Sequence, residues 1–278
     1  MIKFGLYGLH RGSSVEPETL RRRAALAEEA GFESLWVGDH IALPSELGGD
    51  TDRRLEAVVA VAHLAALTKR VRLGFGVLVL PQRQPVLLAK QLSSIDVLSQ
   101  GRLIVGVGVG YVEPELEAMG VSPADRGART DEYLSAMRGL WEEGGPAFKG
   151  RFISYEGVFQ RPRPVQEPHP PIVVGGRSPA AFRRAIQTAN GWYGVYLDPD
   201  GAAEALTGLR AVADQYERPN ALGELEITVT PPGPIDLETA ERYAELGVHR
   251  LAIQPSTMEG TAIDDLIASV GDRLVGRV

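Results

Sequence analysis

Two adjacent residues, Asp39 and His40, are the sharpest chemical signal in the chain. A histidine is poised to exchange a proton near neutral pH, and a neighbouring loop can orient it. The pair follows Ser34-Leu-Trp-Val37, an apolar run that reads as a strand, so it stands at a strand's carboxyl end. The plainer reading is an aspartate capping a loop beside a hydrogen-bonded histidine. A second cluster, Gly175-Gly176-Arg177-Ser178-Pro179, joins a glycine turn to a serine N-cap and a proline at the first helical position. Free backbone N–H groups there would receive an anion, and Arg177 would add charge. A plain strand-to-helix turn is the alternative. The third signal is glycine at alternate positions in two apolar runs, Gly74 and Gly76, then Gly106, Gly108 and Gly110. Glycine weakens a strand unless something comes close to the backbone, so these strands read as the floor of a ligand site. Tyr111 and Glu113 follow the second run, and Tyr7 and His10 end the first strand; these are further candidates for handling a proton. His63 on a helix and His249 at the opening of a strand read as structural, and His169 between prolines as a surface loop residue. Five scattered histidines give no reason to expect a metal cluster.

The elements that must position these residues alternate regularly. Strands are expected at 2–7, 34–37, 71–80, 102–110, 172–174, 192–195, 226–229 and 250–253. Amphipathic helices are expected at 17–30, from Leu55 to Ala66, at 85–98, about 130–142, 179–189, 202–215, 237–245 and at the end of the chain. Pro85 sits where a helix can begin, and Gly101 follows where it should have ended. A polar loop is expected to reach about Asp52, and a loop rich in Glu and Pro follows Gly110. The segment 148–171 reads as a short hairpin and a proline-rich, extended lead-in. Eight strands alternating with eight helices argue for a parallel sheet. A closed (β/α)8 TIM barrel is favoured over an open sheet, because the eighth strand arrives at the chain's end and can pair with the first. The Gly106–Gly110 spacing is G-x-G-x-G with no helix opening on it, which sets aside a dinucleotide fingerprint.

Composition narrows the function classes. The chain has 278 residues, 44% hydrophobic and 23% charged, with a net charge of −7. An acidic chain without a dense basic patch does not suit nucleic acid. Arg21-Arg22-Arg23 is the one basic run, and it reads as a solvated helix face. There is no cysteine, which removes disulfides, thiolate metal sites and a catalytic thiol. No apolar stretch approaches the ~18 residues of a spanning helix. The first residues already read as a strand with no leader before it, so the cytoplasm is the expected location.

Taken in order, these pieces resemble the luciferase-like monooxygenase superfamily, and within it the oxidoreductases that use the deazaflavin coenzyme F420. The resemblance rests on Ala30-Gly-Phe-Glu-Ser-Leu-Trp-Val-Gly-Asp-His40, on Leu73-Gly-Phe-Gly-Val-Leu-Val-Leu80 with Pro85 and Ala89-Lys-Gln91, on Leu98-Ser-Gln-Gly-Arg-Leu103 with Gly106-Val-Gly-Val-Gly110, and on Pro171-Ile-Val-Val-Gly-Gly176 with Gly191-Trp192. It covers nearly the whole chain and implies one luciferase-like barrel domain over 1–278, with short loop insertions at the carboxyl ends of the strands. It also implies a cis peptide bond in a bulge at Gly76–Val77 that backs the flavin-like ring. Asp39 and His40 would line the reactive face of the ring, Gly110 would lie near it, and Gly175, Gly176 and Arg177 would hold the coenzyme's phosphate. His40, Tyr111 and Glu113 are the candidate catalytic residues. Tyr111 stands where the sugar-phosphate dehydrogenases of this family carry a Glu, which speaks against a sugar phosphate. The expected function is F420-dependent hydride transfer to or from a small, largely apolar organic substrate, in a homodimer. The alternatives are an FMN-dependent monooxygenase and a non-catalytic cofactor-binding protein.

Overall fold

The computed structural model describes residues 1–48, 52–142 and 147–278. Its barrel strands are β1 (Lys3–Tyr7), β2 (Ser34–Val37), β3 (Arg72–Phe75, resumed at Leu78–Val79), β4 (Leu103–Gly108), β5 (Ile172–Gly175), β6 (Gly191–Val195), β7 (Glu226–Thr230) and β8 (Arg250–Ile253). Each pairs in parallel with the next, and β8 returns to β1 with Lys3 opposite Arg250 and Leu6 opposite Ile253. The closed eight-stranded parallel barrel is therefore the architecture, as the alternation predicts. Both faces of such strands are covered, which is why they read as near-continuous apolar runs.

The helices are α1 (Pro17–Glu29), α2 (Ala57–Leu67), α3 (Pro85–Leu98), α4 (Glu113–Ala118), α5 (Arg126–Trp141), α6 (Pro179–Thr188), α7 (Pro199–Ala213), α8 (Leu237–Glu245) and α9 (Ala262–Arg273). The additional one is α4, which stands where a Glu- and Pro-rich loop is expected. Its six residues are too few to show a helical period. Pro85 does open α3, whose N-cap Gln84 accepts from the Leu87 amide at 2.7 Å. The hairpin pairs Phe148 with Tyr155, and the proline-rich lead-in then runs along α3, where Asp96 accepts from the amides of Val165 and Gln166. The polar loop expected to reach Asp52 lies partly outside the described residues. Among the described residues, no helix is long and apolar enough to cross a membrane.

The glycines in the strands have a different cause from the one expected. A Cβ on Gly74 would lie 2.6 Å from the Trp36 ring, and one on Gly5 2.7 Å from Trp36 Nε1. A Cβ on Gly106 would meet the Phe75 carbonyl oxygen at 1.7 Å, and one on Gly108 the Val77 side chain at 2.7 Å. The close approach is made by the chain's own groups, which fill the barrel lumen. Trp36, Tyr193, Tyr7, Ile104, Val173 and Ala252 form that inner cluster, with Trp36 and Tyr193 at 5.3 Å between ring centroids.

Two arginines, Arg23 and Arg250, are almost fully buried in the fold. Arg23 is not on a solvated face; it is 1% exposed and bonds Ser13, Ser14, Asp264 and the Gly260 carbonyl, while Arg21 and Arg22 are exposed. It ties the loop after β1 to the start of α9. Arg250, fully buried at the amino-terminal end of the barrel, pairs with Glu33 at 2.8 Å and Glu226 at 3.0 Å and lies over the Trp36 ring. Burial alone would raise the Glu226 pKa, but Arg250 and Lys3 reverse this and bring it from 4.5 down to about 2. A carboxylate depressed in the folded state contributes stability above its unfolded pKa and loses it as the pH falls through the folded one. That contribution is at most about 3 kcal/mol. Glu226→Gln should therefore cost about 1–3 kcal/mol at neutral pH. Its stability should fall less steeply than wild type between pH 4.5 and about 2, as read by denaturant unfolding across that range.

Candidate active site

The carboxyl ends of β1 to β5 carry the predicted residues, as the barrel requires. Asp39, just past β2, is buried, and its Oδ1 accepts from Arg83 at 2.6 Å. Its Oδ2 accepts from Arg83 Nε at 3.1 Å and from the Val79 amide at 2.8 Å. Arg83 also reaches Glu56 at 2.7 Å. Burial raises the Asp39 pKa, with Arg83 pulling the other way. Both oxygens are thus engaged in the wall, where they pin the strand that resumes at Leu78.

His40 has a partner that sequence reasoning missed. Its Nδ1 is 2.9 Å from Oε2 of Glu115, in the first turn of α4. Glu115 is 2% exposed and also accepts from the amides of Ile41 and Ala42. Burial by itself would raise its pKa, but the hydrogen bond and charge of His40 and the two amides outweigh burial and leave it lowered. An ionised carboxylate accepts and does not donate, so the Nδ1 of His40 carries the proton. Nε2 is left to face the Tyr111 hydroxyl at 3.5 Å, with the two rings edge to face. Tyr111 itself is 75% exposed. Glu113 points elsewhere: its side chain is exposed and lies 3.8 Å from Arg126. The only sequence signal for Glu115 was its place, with Pro114, in an acidic stretch after a barrel strand.

The peptide bond between Gly76 and Val77 is cis, as the resemblance implies. A Cβ on Gly76 would fall 2.5 Å from the Tyr193 hydroxyl, so that ring backs the bulge from inside the barrel. Tyr193 in turn bonds the Thr230 hydroxyl. On the other side, the Val77 methyls lie 3.0 Å from where a Gly175 Cβ would be. The Val77 side chain thus packs beside Gly108 and Gly175, at the carboxyl ends of β4 and β5. Gly176 has φ +119°, a conformation that suits glycine, and its carbonyl accepts from Trp192 Nε1 at 2.8 Å. Gly176 and Arg177 are exposed, and Ser178 caps α6 by accepting from the Ala181 amide at 3.2 Å. The turn opens α6 with the Ser178 cap and Pro179 that the sequence predicts.

At β1, Tyr7 and His10 lie edge to face at 5.8 Å, both buried. Burial, then the charge of Tyr196, raises the Tyr7 pKa; burial, then Arg54 and Arg11, lowers that of His10. Arg11 and Arg54 share Asp52. Tyr196, at the end of β6 with φ +53°, is half exposed and had no sequence signal. The remaining histidines stay outside the site. His63 is exposed on α2, and His249 accepts from the Ile227 amide. His169 is half-buried against Trp141 rather than free on a surface loop. Among the described residues no group of acidic or histidine side chains could hold a metal ion.

Comparison with known proteins agrees with this architecture. The family model for luciferase-like monooxygenases matches residues 3–257. An uncharacterized protein of Mycobacterium tuberculosis is 31% identical over 288 residues, covering 98% of each chain. An FMNH2-dependent dimethylsulfone monooxygenase of Pseudomonas putida is 32% identical over 176 residues, which are 62% of this chain and 47% of that one. Among solved structures, an F420-dependent secondary alcohol dehydrogenase in complex with an F420–acetone adduct superposes with a TM-score of 0.80 at 18% identity over 98% of both chains. On its match from β1 to beyond β8, this chain belongs to the luciferase-like monooxygenase family.

Proposed function

We propose that the chain is an F420-dependent oxidoreductase acting on a small, largely apolar organic substrate, with His40 as the residue that moves the proton. The observation that carries this reading is the His40–Glu115 hydrogen bond of 2.9 Å. Hydride transfer to or from a carbon–oxygen bond needs a companion proton at the oxygen. A histidine whose Nδ1 is committed to a buried carboxylate presents Nε2 to give or take that proton. Glu115 acts as its positioning residue. It fixes the ring orientation and stabilises the imidazolium when Nε2 is protonated. Asp39 serves by holding the wall behind His40.

The residues present fit a bound deazaflavin. Gly76 and the half-buried Val77 offer an apolar backing, and the exposed turn at Gly176 and Arg177 suits its phosphate. Bound there, the deazaflavin would supply the carbon that accepts or gives the hydride. The barrel's apolar lumen excludes water from below. The FMN reading is supported by the relative from Pseudomonas putida, an FMNH2-dependent dimethylsulfone monooxygenase. It would use the same wall and the same anion turn. Val59 and Leu87, on the neighbouring helices α2 and α3, are 63% and 58% exposed, and they are the surface we assign to a homodimer. The cytoplasm is the location that goes with this reading.

His40→Ala should keep F420 affinity within a few-fold and lose roughly 10²–10⁴ in turnover. Stopped-flow decay of reduced-coenzyme absorbance, with a substrate found by screening, reads both. A protein that merely held the coenzyme would show no such loss, and near-full turnover would pass the proton role to Tyr111. Glu115→Gln should cost about tenfold or more in turnover while coenzyme affinity is kept. Equal rates would reduce Glu115 to a structural brace. Gly176→Val should weaken F420 binding about tenfold, ~1.4 kcal/mol, in a folded protein. Unchanged affinity would assign that turn to structure only.

A further inference from the structure

The loop that follows β8 lays one side chain back over the filled barrel lumen. Met258 and Val77 are the two partly buried hydrophobic residues packed on the inner cluster of Trp36, Tyr193 and Tyr7. Both keep part of their surface open. They cap the lumen together, Val77 from the bulge in β3 and Met258 from the β8 side. Val77 is already assigned to back the coenzyme ring, whereas neither the proton step nor the coenzyme's seat uses Met258.

The backbone of Met258 is clamped. Its carbonyl accepts from the Ser13 amide at 3.1 Å and from the Ser13 hydroxyl at 3.2 Å. The same hydroxyl accepts from the buried Arg23 at 2.9 Å, and Arg23 also donates to the Gly260 carbonyl, two residues beyond Met258. A Cβ on Gly12 would fall 2.3 Å from the Met258 carbonyl oxygen, so the two loops touch backbone to backbone. The side chain has a seat of its own. A Cβ on Gly8 would lie 2.7 Å from its Sδ and 2.8 Å from its Cε, so the thioether occupies the slot that glycine leaves. Gly8 also has φ +115°, a conformation that suits glycine, and the slot is therefore kept by the backbone as well. A fixed mount carrying an unbranched, polarizable side chain makes a wall that holds its place and adapts at its tip.

We propose that Met258 is the specificity-determining residue that sets the size of the apolar group the site accepts. With the coenzyme ring on the Val77 side, the apolar body of the substrate lies against the Met258 thioether. A bulkier body needs the space that Met258 fills. The group so selected is a compact, uncharged hydrocarbon ring or chain, because neither Met258 nor Val77 offers it a charge or a hydrogen bond. This rests on the reading that the chain transforms a small apolar substrate beside the Gly76–Val77 bulge, and it adds which residue limits that substrate.

The probes are fluorobenzene and fluoronaphthalene, uncharged molecules that differ by one fused ring. Leaving water favours the larger probe, so a preference for the smaller one reports a wall. In fluorine NMR titrations, with oxidised F420 bound and again without coenzyme, wild type should bind fluorobenzene about tenfold tighter or more. Met258→Ala should lower that ratio about tenfold. Met258→Leu, close in volume, should keep it within about threefold. F420 affinity should stay within about twofold in both variants. A merely structural Met258 would cost stability and leave the ratio where it was. The proposal is overturned if wild type does not prefer the smaller probe, or if the ratio in Met258→Ala stays within about twofold of that in wild type. Should Met258→Ala fail to fold, Met258→Phe reads the same wall from the other side. Its added ring should weaken fluorobenzene about tenfold, and unchanged binding would overturn the proposal. If neither F420 nor FMN binds but the coenzyme-free protein shows the Met258-dependent ratio, the size selection stands and the coenzyme assignment fails. If F420 binds and the ratio does not move, the coenzyme assignment stands and the role of Met258 falls.

Discussion

The barrel interior accommodates Trp36 and Tyr193 only because Gly5, Gly74 and Gly76 lack side chains. From that constraint a column of contacts runs along the barrel axis. At its base the Glu33–Arg250–Glu226 cluster closes the amino-terminal end, and the Arg250 guanidinium lies 5.6 Å from the Trp36 ring centre. Trp36 Nε1 donates to Ser34 at 2.8 Å, and its ring packs on Tyr193. The Tyr193 hydroxyl then reaches the underside of Gly76. Each level fills the space the level above would otherwise lose to water, and close packing of this kind passes position from one end of the barrel to the other. The bulge at Gly76–Val77 rests on top of that column, and Gly106, Gly108 and Gly175 clear the space beside it.

Two buried carboxylates at the carboxyl end of the barrel have opposite duties, and their partners decide which. Asp39 gives its oxygens to Arg83 and the Val79 amide, so its charge is spent on holding the strand that follows the bulge. Glu115 gives one oxygen to the amides of Ile41 and Ala42 and the other to His40. That arrangement holds the backbone just after the histidine and orients its ring. A carboxylate so placed is costly to bury alone and acceptable because every contact is a donor. The neighbouring Tyr111 and Tyr196 are exposed aromatic side chains at the rim.

Much of this was legible in the sequence. The alternation of apolar runs with amphipathic helices was enough for a closed barrel, because period and count are properties of the chain itself. Asp39 and His40 could be placed at a strand end for the same reason. The glycine pattern was visible and its cause was not. Which atoms approach Gly106 depends on the path of β3, and that is a matter of three-dimensional register. Glu115 could not be singled out, since its bond to His40 spans 75 positions and its helix has only six residues. Arg23 looked like its two neighbours in a basic run, and only the packing of α1 against α9 separates it from them. The bend at Gly76–Val77 was anticipated from the glycine-alternating strand and the family resemblance together.

The proposed function requires a deazaflavin to bind against the Gly76–Val77 bulge. Fluorescence titration of the purified protein with F420 and with FMN, side by side under one set of conditions, tests it most directly. Saturable binding of F420, about tenfold tighter than that of FMN or better, is expected. Tighter binding of FMN, or no saturable binding of F420, would contradict it.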